Sequence, residues 1–344
     1  MDGRFPQTGL RHFVTQVEQA CAEHGAKVRW HSDHWVAEVL ADDRRFLVIG
    51  QVFPLNTASA AQVATDKVAT AGLLADRGVP VVPHHLLRFA TDRDPVALTT
   101  KLVGLPAVLK PHRESSGVDV LRARDETEAR AGLAHLAGRY RAIAVSPLLP
   151  IEDEFRLVVL DGEVLLVYRK AIAPGEWRHN LKFGARPDLD VPADRAAALG
   201  PLALAAMRAL ELRFASVDVV WVAGRPLVLE VNSGVSLEHF SQAGPRHRDL
   251  AAEVYRTAIR ACLASTEVGG AGGGGAGGGG GGAGGGGGGA SGGAAGGGGA
   301  GGGAGGGGVG GGGVGGGGVG GGGVGGGSAG GGGAGGGGAG LTAG

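Results

Sequence analysis

The sequence predicts a mixed α/β (α+β) domain followed by a tail without a core of its own. Three observations carry this reading. Segments with apolar residues at helical spacing alternate along the chain with short strand-like runs rich in Val, Leu and Ile. Two of those runs are joined by Asp161-Gly162, a dipeptide suited to a tight hairpin. Glycine is also partitioned: 56 of the 73 glycines fall in residues 269–344, and the last charged residue is Glu267.

In chain order, a helical pattern containing Phe13, Val17 and Cys21 precedes three strand-like runs, KVRW, WVAEVL and RRFLVIG. LNTASAAQVATDKVATAGLLADRG reads as one helix ended by Gly78 as the residue after its C-cap. VPVVPH and LPAVLKP read as strands bounded by proline. Helix returns through DETEARAGLAHLAGRY, with Asp125 as N-cap, and AIAVSPLL is a further strand. EFRLVVL and EVLLVYRK flank the Asp161-Gly162 turn. An uninterrupted two-residue hairpin sets Leu160 opposite Glu163 and Glu154 opposite Arg169, with Arg156 on the same face. APGEWRHNLKFGARPD is a long polar loop, of the kind that more often serves as a lid than as a connector. ADRAAALGPLALAAMRALEL is helical, with Leu199, Leu202, Ala206 and Leu210 on one stripe. FASVDVVWV and PLVLEVN form a second hairpin around Gly224, and DLAAEVYRTAIRACLA closes the body as an amphipathic helix. The organisation is therefore a short leading segment (1–62), a main domain (63–265) and a glycine-rich tail (266–344).

The tail becomes a GGGGV repeat between Val309 and Val324. Glycine has the most backbone freedom to lose and no side chain to bury, so this segment is expected to be disordered. Collagen is excluded because there is neither proline nor a three-residue period. A chain ending near Glu267 should keep its melting temperature; a clear drop on truncation would show that the tail docks on the body.

The 32 basic and 32 acidic side chains cancel, so nothing in the charge balance calls for nucleic acid or an anionic membrane as partner. The first twenty residues lack an apolar signal core, and no stretch approaches the ~18 apolar residues of a membrane span. Cys21 and Cys262 lie far apart in sequence and outside any CxxC spacing, which argues against zinc or a disulfide. The expected location is the cytoplasm.

The chemistry concentrates in two places. Only six of the basic residues are lysine, and two of them, Lys67 before a helix and Lys110 at a strand end, are candidates for phosphate contacts. Lys110 is followed by HRESSGV, whose Ser115, Ser116 and Gly117 offer hydroxyl and backbone donors. Further on, Asp218, Glu230 and Asn232 sit on two adjacent apolar strands and are followed by Ser233-Gly234. An oxygen-only set of this kind suits Mg²⁺, with Mn²⁺ as a substitute. A common metal face requires Asp218 opposite Glu230, which a three-residue loop centred on Gly224 supplies.

These elements occur together in an order that resembles the ATP-grasp superfamily: Lys67, Lys110 with its Ser-Gly loop, the EFR hairpin, the HNLKFGA lid and the Asp218/Glu230/Asn232 set. The nearest look is the glutathione synthetase and ribosomal-protein glutamate ligase branch, with D-alanine–D-alanine ligase more distant. The resemblance covers roughly residues 60–264 and implies two α/β subdomains enclosing a nucleotide, preceded by a shortened form of the domain that usually leads into this fold. By that resemblance Lys67 and Lys110 hold ATP phosphates, capped by Ser116 and Gly117, and Lys182 of the lid is a further nucleotide-binding residue. Backbone groups from Val145 through Pro147 to Leu148 read adenine, and Glu154 accepts from the ribose. Asp218, Glu230 and Asn232 hold Mg²⁺. Arg156, Arg169 and Asn180 face the γ-phosphate and the acceptor carboxylate, and Ser233 and Gly234 lie beside an acyl phosphate.

The implied activity is ATP-dependent ligation of an amino-acid, peptide or other small carboxylate to an amine. A kinase on the same fold and a nucleotide-binding scaffold without catalysis are the alternatives. A dinucleotide dehydrogenase is disfavoured, since no GxGxxG joins a strand to a helix.

Overall fold

In the computed structural model of the protein, the described residues are 11–42, 44–114 and 117–265. All belong to the first of two units, Met1–Gly275; the second, Ala276–Gly344, and the tail expectation attached to it lie outside the described residues.

The first element among the described residues is α1 (His12–Glu23), whose Phe13, Val17, Ala20 and Cys21 recur on one face and are buried. Strands β1 (Lys27–His31), β2 (Val36–Ala41) and β3 (Arg44–Ile49) follow as an antiparallel meander. The long helix expected next is two helices, α2 (Ala58–Thr65) and α3 (Lys67–Asp76). The break is at Asp66, whose extended backbone lets its carboxylate accept from the N–H groups of Val68 and Ala69 and cap the second helix. Gly78, at φ +70°, ends α3. Its N–H bonds Ala75 O at 2.9 Å and that of Val79 bonds Leu74 O at 2.9 Å, the paired closure that a left-handed glycine permits.

The strand expected at VPVVPH lies further on, as β4 (His85–Arg88), past two prolines that have no N–H to donate. Then come α4 (Pro95–Val103), β5 (Ala107–Pro111), β6 (Leu121–Ala123), α5 (Glu126–Ala137) and β7 (Ala142–Pro147). Asp125 caps α5 by accepting from Glu128 N–H at 2.9 Å, as its sequence position implies. These strands form a four-stranded antiparallel sheet in the order β4-β7-β5-β6, with α4 and α5 sharing its apolar core.

The larger sheet is built from β8 (Asp153–Leu160), β9 (Glu163–Ala171), β10 (Arg186–Asp188), β11 (Phe214–Val222) and β12 (Arg225–Asn232), in the order β10-β9-β8-β11-β12. One face carries Phe155, Leu157, Val159, Val217 and Val219 against α6 (Ala193–Ala209), α2 and α3. The other face changes character along its length. At one end Val158, Leu160, Tyr168 and Phe214 join a core shared with α1, the first sheet, α7 (Glu238–Ser241) and α8 (Pro245–Ala264). The leading segment thus shares its core with the last helix. Cys21 and Cys262 lie in that core, and burial pushes their thiols up to about 11 and about 12. At the other end the same face turns charged, and the functional site begins there. Among the described residues no helix is long and apolar enough to cross a membrane.

Both hairpins of this sheet contain an extra residue. The β8–β9 turn has Asp161 at φ +49° and Gly162 at φ +86°, the two left-handed residues of the expected tight turn, and Leu160 does face Glu163. A bulge beyond Val158/Val159 then shifts the register, so Arg169 lies opposite Phe155, not Glu154. In β11–β12 the expected pairing of Asp218 with Glu230 is present. It arises differently: the loop is a two-residue turn at Ala223-Gly224, and a bulge between Asp218 and Val219 supplies the odd residue.

Candidate active site

The charged end of the large sheet, the four-stranded sheet, the loop after β9 and part of the leading segment enclose a cavity of about 1020 Å³. Side chains alternate along β8 and β11, so Glu154, Arg156 and Asp218 point into it while Phe155, Leu157 and Val219 point away.

Four charged side chains interlock on its floor. Arg156 donates from Nε and Nη2 to the two oxygens of Asp218, at 2.7 Å each. Lys170 Nζ reaches Asp218 Oδ1 at 3.0 Å and Glu154 Oε1 at 2.6 Å. Burial by itself would push the Asp218 carboxyl up; the adjoining Arg156 and Lys170 charges outweigh it and hold the group well below the usual carboxylate range. Burial likewise opposes the charge on Lys170, and Asp218 and Glu154 raise its pKa in spite of it. With two cations and two anions the cluster is neutral as a whole.

Two further lysines line the same cavity. Lys67, at the first turn of α3, is buried, donates to Glu114 O and lies 3.4 Å from Glu230 Oε1. Lys110 is 6% exposed and, among the described residues, has no carboxylate within ion-pairing distance. Burial pulls its pKa down, Glu230 partly restores it, Lys67 lowers it again, and the result is about 8. A buried ammonium without a partner in an open cleft is a ready anion site.

The residues singled out in the sequence distribute as follows. Lys67, Lys110, Gly117, Pro147, Leu148, Glu154, Arg156, Asn180, Lys182, Asp218, Glu230, Asn232, Ser233 and Gly234 line the one cavity. Ser116 lies outside the described residues. Arg169 does not line the cavity: the bulge turns it to the other face, where it pairs with Asp153 and Asp188. Lys170 occupies the position expected of it. Val145 is buried among the apolar residues of the four-stranded sheet. The N–H of Leu148 is committed to Pro106 O at 3.0 Å, whereas that of Leu149, also a lining residue, is unengaged among the described residues. Ser233 turns its hydroxyl back to Ala61 O at 3.0 Å, which leaves backbone at Ser233-Gly234 to face the cavity.

The loop after β9 lies across the cleft. Arg178 stacks over Phe183 at 3.7 Å, and Arg122 of β6 stands 5.7 Å over Trp177, joining loop to small sheet. Gly117, at φ +70°, leaves no room for a Cβ: one would stand 2.9 Å from Phe183 and 3.0 Å from Asn180. Lys170, Trp177 and Arg178 were not singled out in the sequence. Lysine scarcity is the one signal that marks Lys170.

The oxygen donors suit a divalent cation. Asp218 Oδ2 accepts one bond and keeps a lone pair, and Glu230 and Asn232 share its face through the Asp218↔Glu230 register. Among the described residues no three His, Cys, Asp or Glu side chains converge, so Asn232, phosphate and water would have to complete the coordination.

Comparison with known proteins accords with this architecture. Residues 64–256, more than half of the chain, match the family model described as RimK-like ATP-grasp domain. The chain is similar to the probable alpha-L-glutamate ligase of Alcanivorax borkumensis, 29% identical over 205 residues that cover 58% of this chain and 65% of that one. The probable alpha-L-glutamate ligase of Marinobacter nauticus is 30% identical over the same shares. The chain thus spans just under two thirds of these relatives' length. The crystal structure of D-alanine–D-alanine ligase from Bacillus anthracis is 21% identical, covering 60% of this chain and 71% of that one, with a TM-score of 0.49. With more than half of its length matched, this chain belongs to the RimK-like ATP-grasp family.

Proposed function

We propose that the protein is an ATP- and Mg²⁺-dependent carboxylate–amine ligase that forms an amide through an acyl phosphate. The observation that carries this reading is Lys110, a buried cation lacking a carboxylate partner among the described residues, with Glu230 lining the same cleft of nucleotide size. Phosphate oxygens would supply the counter-charge that Lys110 lacks and add to the one Glu230 gives Lys67, and the N–H of Leu149, unengaged among the described residues, offers a donor to the adenine edge. Asp218, Glu230 and Asn232 would hold Mg²⁺, which when bound neutralises phosphate charge.

The chain's own residues then do three things. Lys67 and Lys110 bind the phosphates and lower the repulsion that an attacking carboxylate meets. Backbone at Ser233-Gly234, fixed by the Ser233–Ala61 bond, borders the reacting carbonyl. Attack of the carboxylate on the γ-phosphorus releases ADP, and attack of a neutral amine on the acyl carbon releases phosphate and one proton. The loop carrying Trp177, Arg178 and Asn180 excludes the water that would hydrolyse the acyl phosphate.

Incubation with ATP, Mg²⁺ and pooled amino acids and dipeptides, read by mass spectrometry, tests the reading. The expected product has the summed mass of two substrates less one water. A product heavier by one phosphoryl group would make the protein a kinase instead.

A further inference from the structure

Exposed apolar side chains are gathered in the cleft. Seven large hydrophobic residues are exposed among the described residues, and five of them, Trp35, Ile49, Val52, Val118 and Ile172, line the one cavity. Three of those five come from the leading segment. They are fixed beside the reacting centre: Val52 bridges to Ile49 on one side and to Gly234 on the other, and Val235 N–H bonds Gln51 O at 3.0 Å. Gly234 follows Asn232 by two residues. A Cβ on Gly234 would stand 3.3 Å from Val52.

Trp35 is held at a conformational cost. The turn before it places Ser32, Asp33 and His34 in succession at φ +50°, +51° and +61°, a conformation that non-glycine residues seldom adopt even singly. The indole lies over Gly50, where a Cβ would stand 2.9 Å from the ring, and Gly50 N–H closes on Trp35 O at 2.7 Å. Backbone strain and a glycine together seat a large apolar ring that remains 38% exposed.

Among the described residues of 35–52 the cavity receives Trp35, Ile49, Gln51 and Val52, and no charged group. A carboxylate side chain laid on this wall would lose water and meet no cation there, with the neutral Gln51 amide as its one side-chain donor besides the indole N–H. We propose that the amino-acid or peptide substrate of this cleft carries a bulky apolar side chain, seated on Trp35, Ile49 and Val52 beside Gly234. This specificity differs from the glutamate in the names of the matched relatives, and it rests on the ligase reading for the identity of the substrate class.

Binding and turnover separate the two. Calorimetry with Mg²⁺ and a non-hydrolysable ATP analogue would compare leucine, phenylalanine and Leu-Leu with glutamate and Glu-Glu. N-acetyl-leucine and leucinamide show which reacting group the bound residue presents. The apolar ligands should bind at least about tenfold more tightly than the acidic ones. Ile49→Arg, at a half-exposed position, should remove at least about tenfold of that affinity while nucleotide affinity and melting temperature hold; Val52→Ser should weaken it in the same direction. Equal or better binding of glutamate, no effect of Ile49→Arg, or no binding of any apolar ligand would overturn the inference. Apolar binding without amide formation would sink the ligase reading alone, and amide formation on glutamate in preference to leucine would sink this inference alone.

Discussion

Asp218→Asn should lower the unfolding free energy by about 3–5 kcal/mol and abolish product formation. The size follows from what remains. Lys170 is buried and Arg156 half-buried on the same carboxylate, and removing its charge leaves two largely desolvated cations against Glu154 alone. The pH dependence has a definite sign. Because the folded state holds Asp218 below its ordinary value of 3.8, its stabilisation is present above that value and lost as pH falls through the folded pKa. The variant should therefore lose part of the acid limb of the stability curve as well as its height. Denaturant unfolding across the acid range measures both. A variant as stable as the parent would mean that the quartet is solvated, and that the metal face built on Asp218 is wrongly drawn.

Lys110→Met should weaken ATP binding by about 1.5–3 kcal/mol, on the order of tenfold to a hundredfold, because one charge-assisted phosphate contact is lost. In the absence of nucleotide the melting temperature should hold or rise, since the substitution removes a buried and uncompensated cation. The lowered pKa adds a second signature. In the free protein Lys110 loses its proton as pH rises through about 8, and a neutral amine cannot pair with phosphate. ATP affinity should accordingly decline above that pH, and Lys110→Arg, which stays charged, should flatten the decline. For unfolding the sign is opposite. Between about 8 and 10.5 the unfolded chain keeps a proton that the folded chain has released, so this residue's destabilising contribution fades as pH rises. Calorimetric titration of the three proteins over that range tests both. Strong destabilisation of apo Lys110→Met would identify Lys110 as a structural ion-pair partner.

Wherever a signal is local, it was legible in the sequence. Asp125 caps its helix, Gly78 takes the left-handed conformation after α3, and Asp161-Gly162 makes the two-residue turn, because each depends on a few adjacent residues and on the φ angles those residues allow. That Lys110, Asp218 and Glu230 share one cavity was readable for another reason: charged residues are conspicuous in strands otherwise made of Val and Leu.

Tertiary structure decided the rest. A bulge adds one residue to β9 within Val164, Leu165, Leu166 and Val167, an unbroken apolar run in which alternation carries no register. Arg169 and Lys170 are neighbours of the same charge, so sequence alone could not say which one faced the cleft; the bulge gave that place to Lys170. In β11–β12 the required register was foreseen and its cause was not, since a bulge supplied the offset assigned to the loop. The apolar wall of Trp35, Ile49 and Val52 lay hidden for a simpler reason. It reaches Gly234 across 182 residues of sequence, through a single bridge that exists only when the leading segment packs against the end of β12.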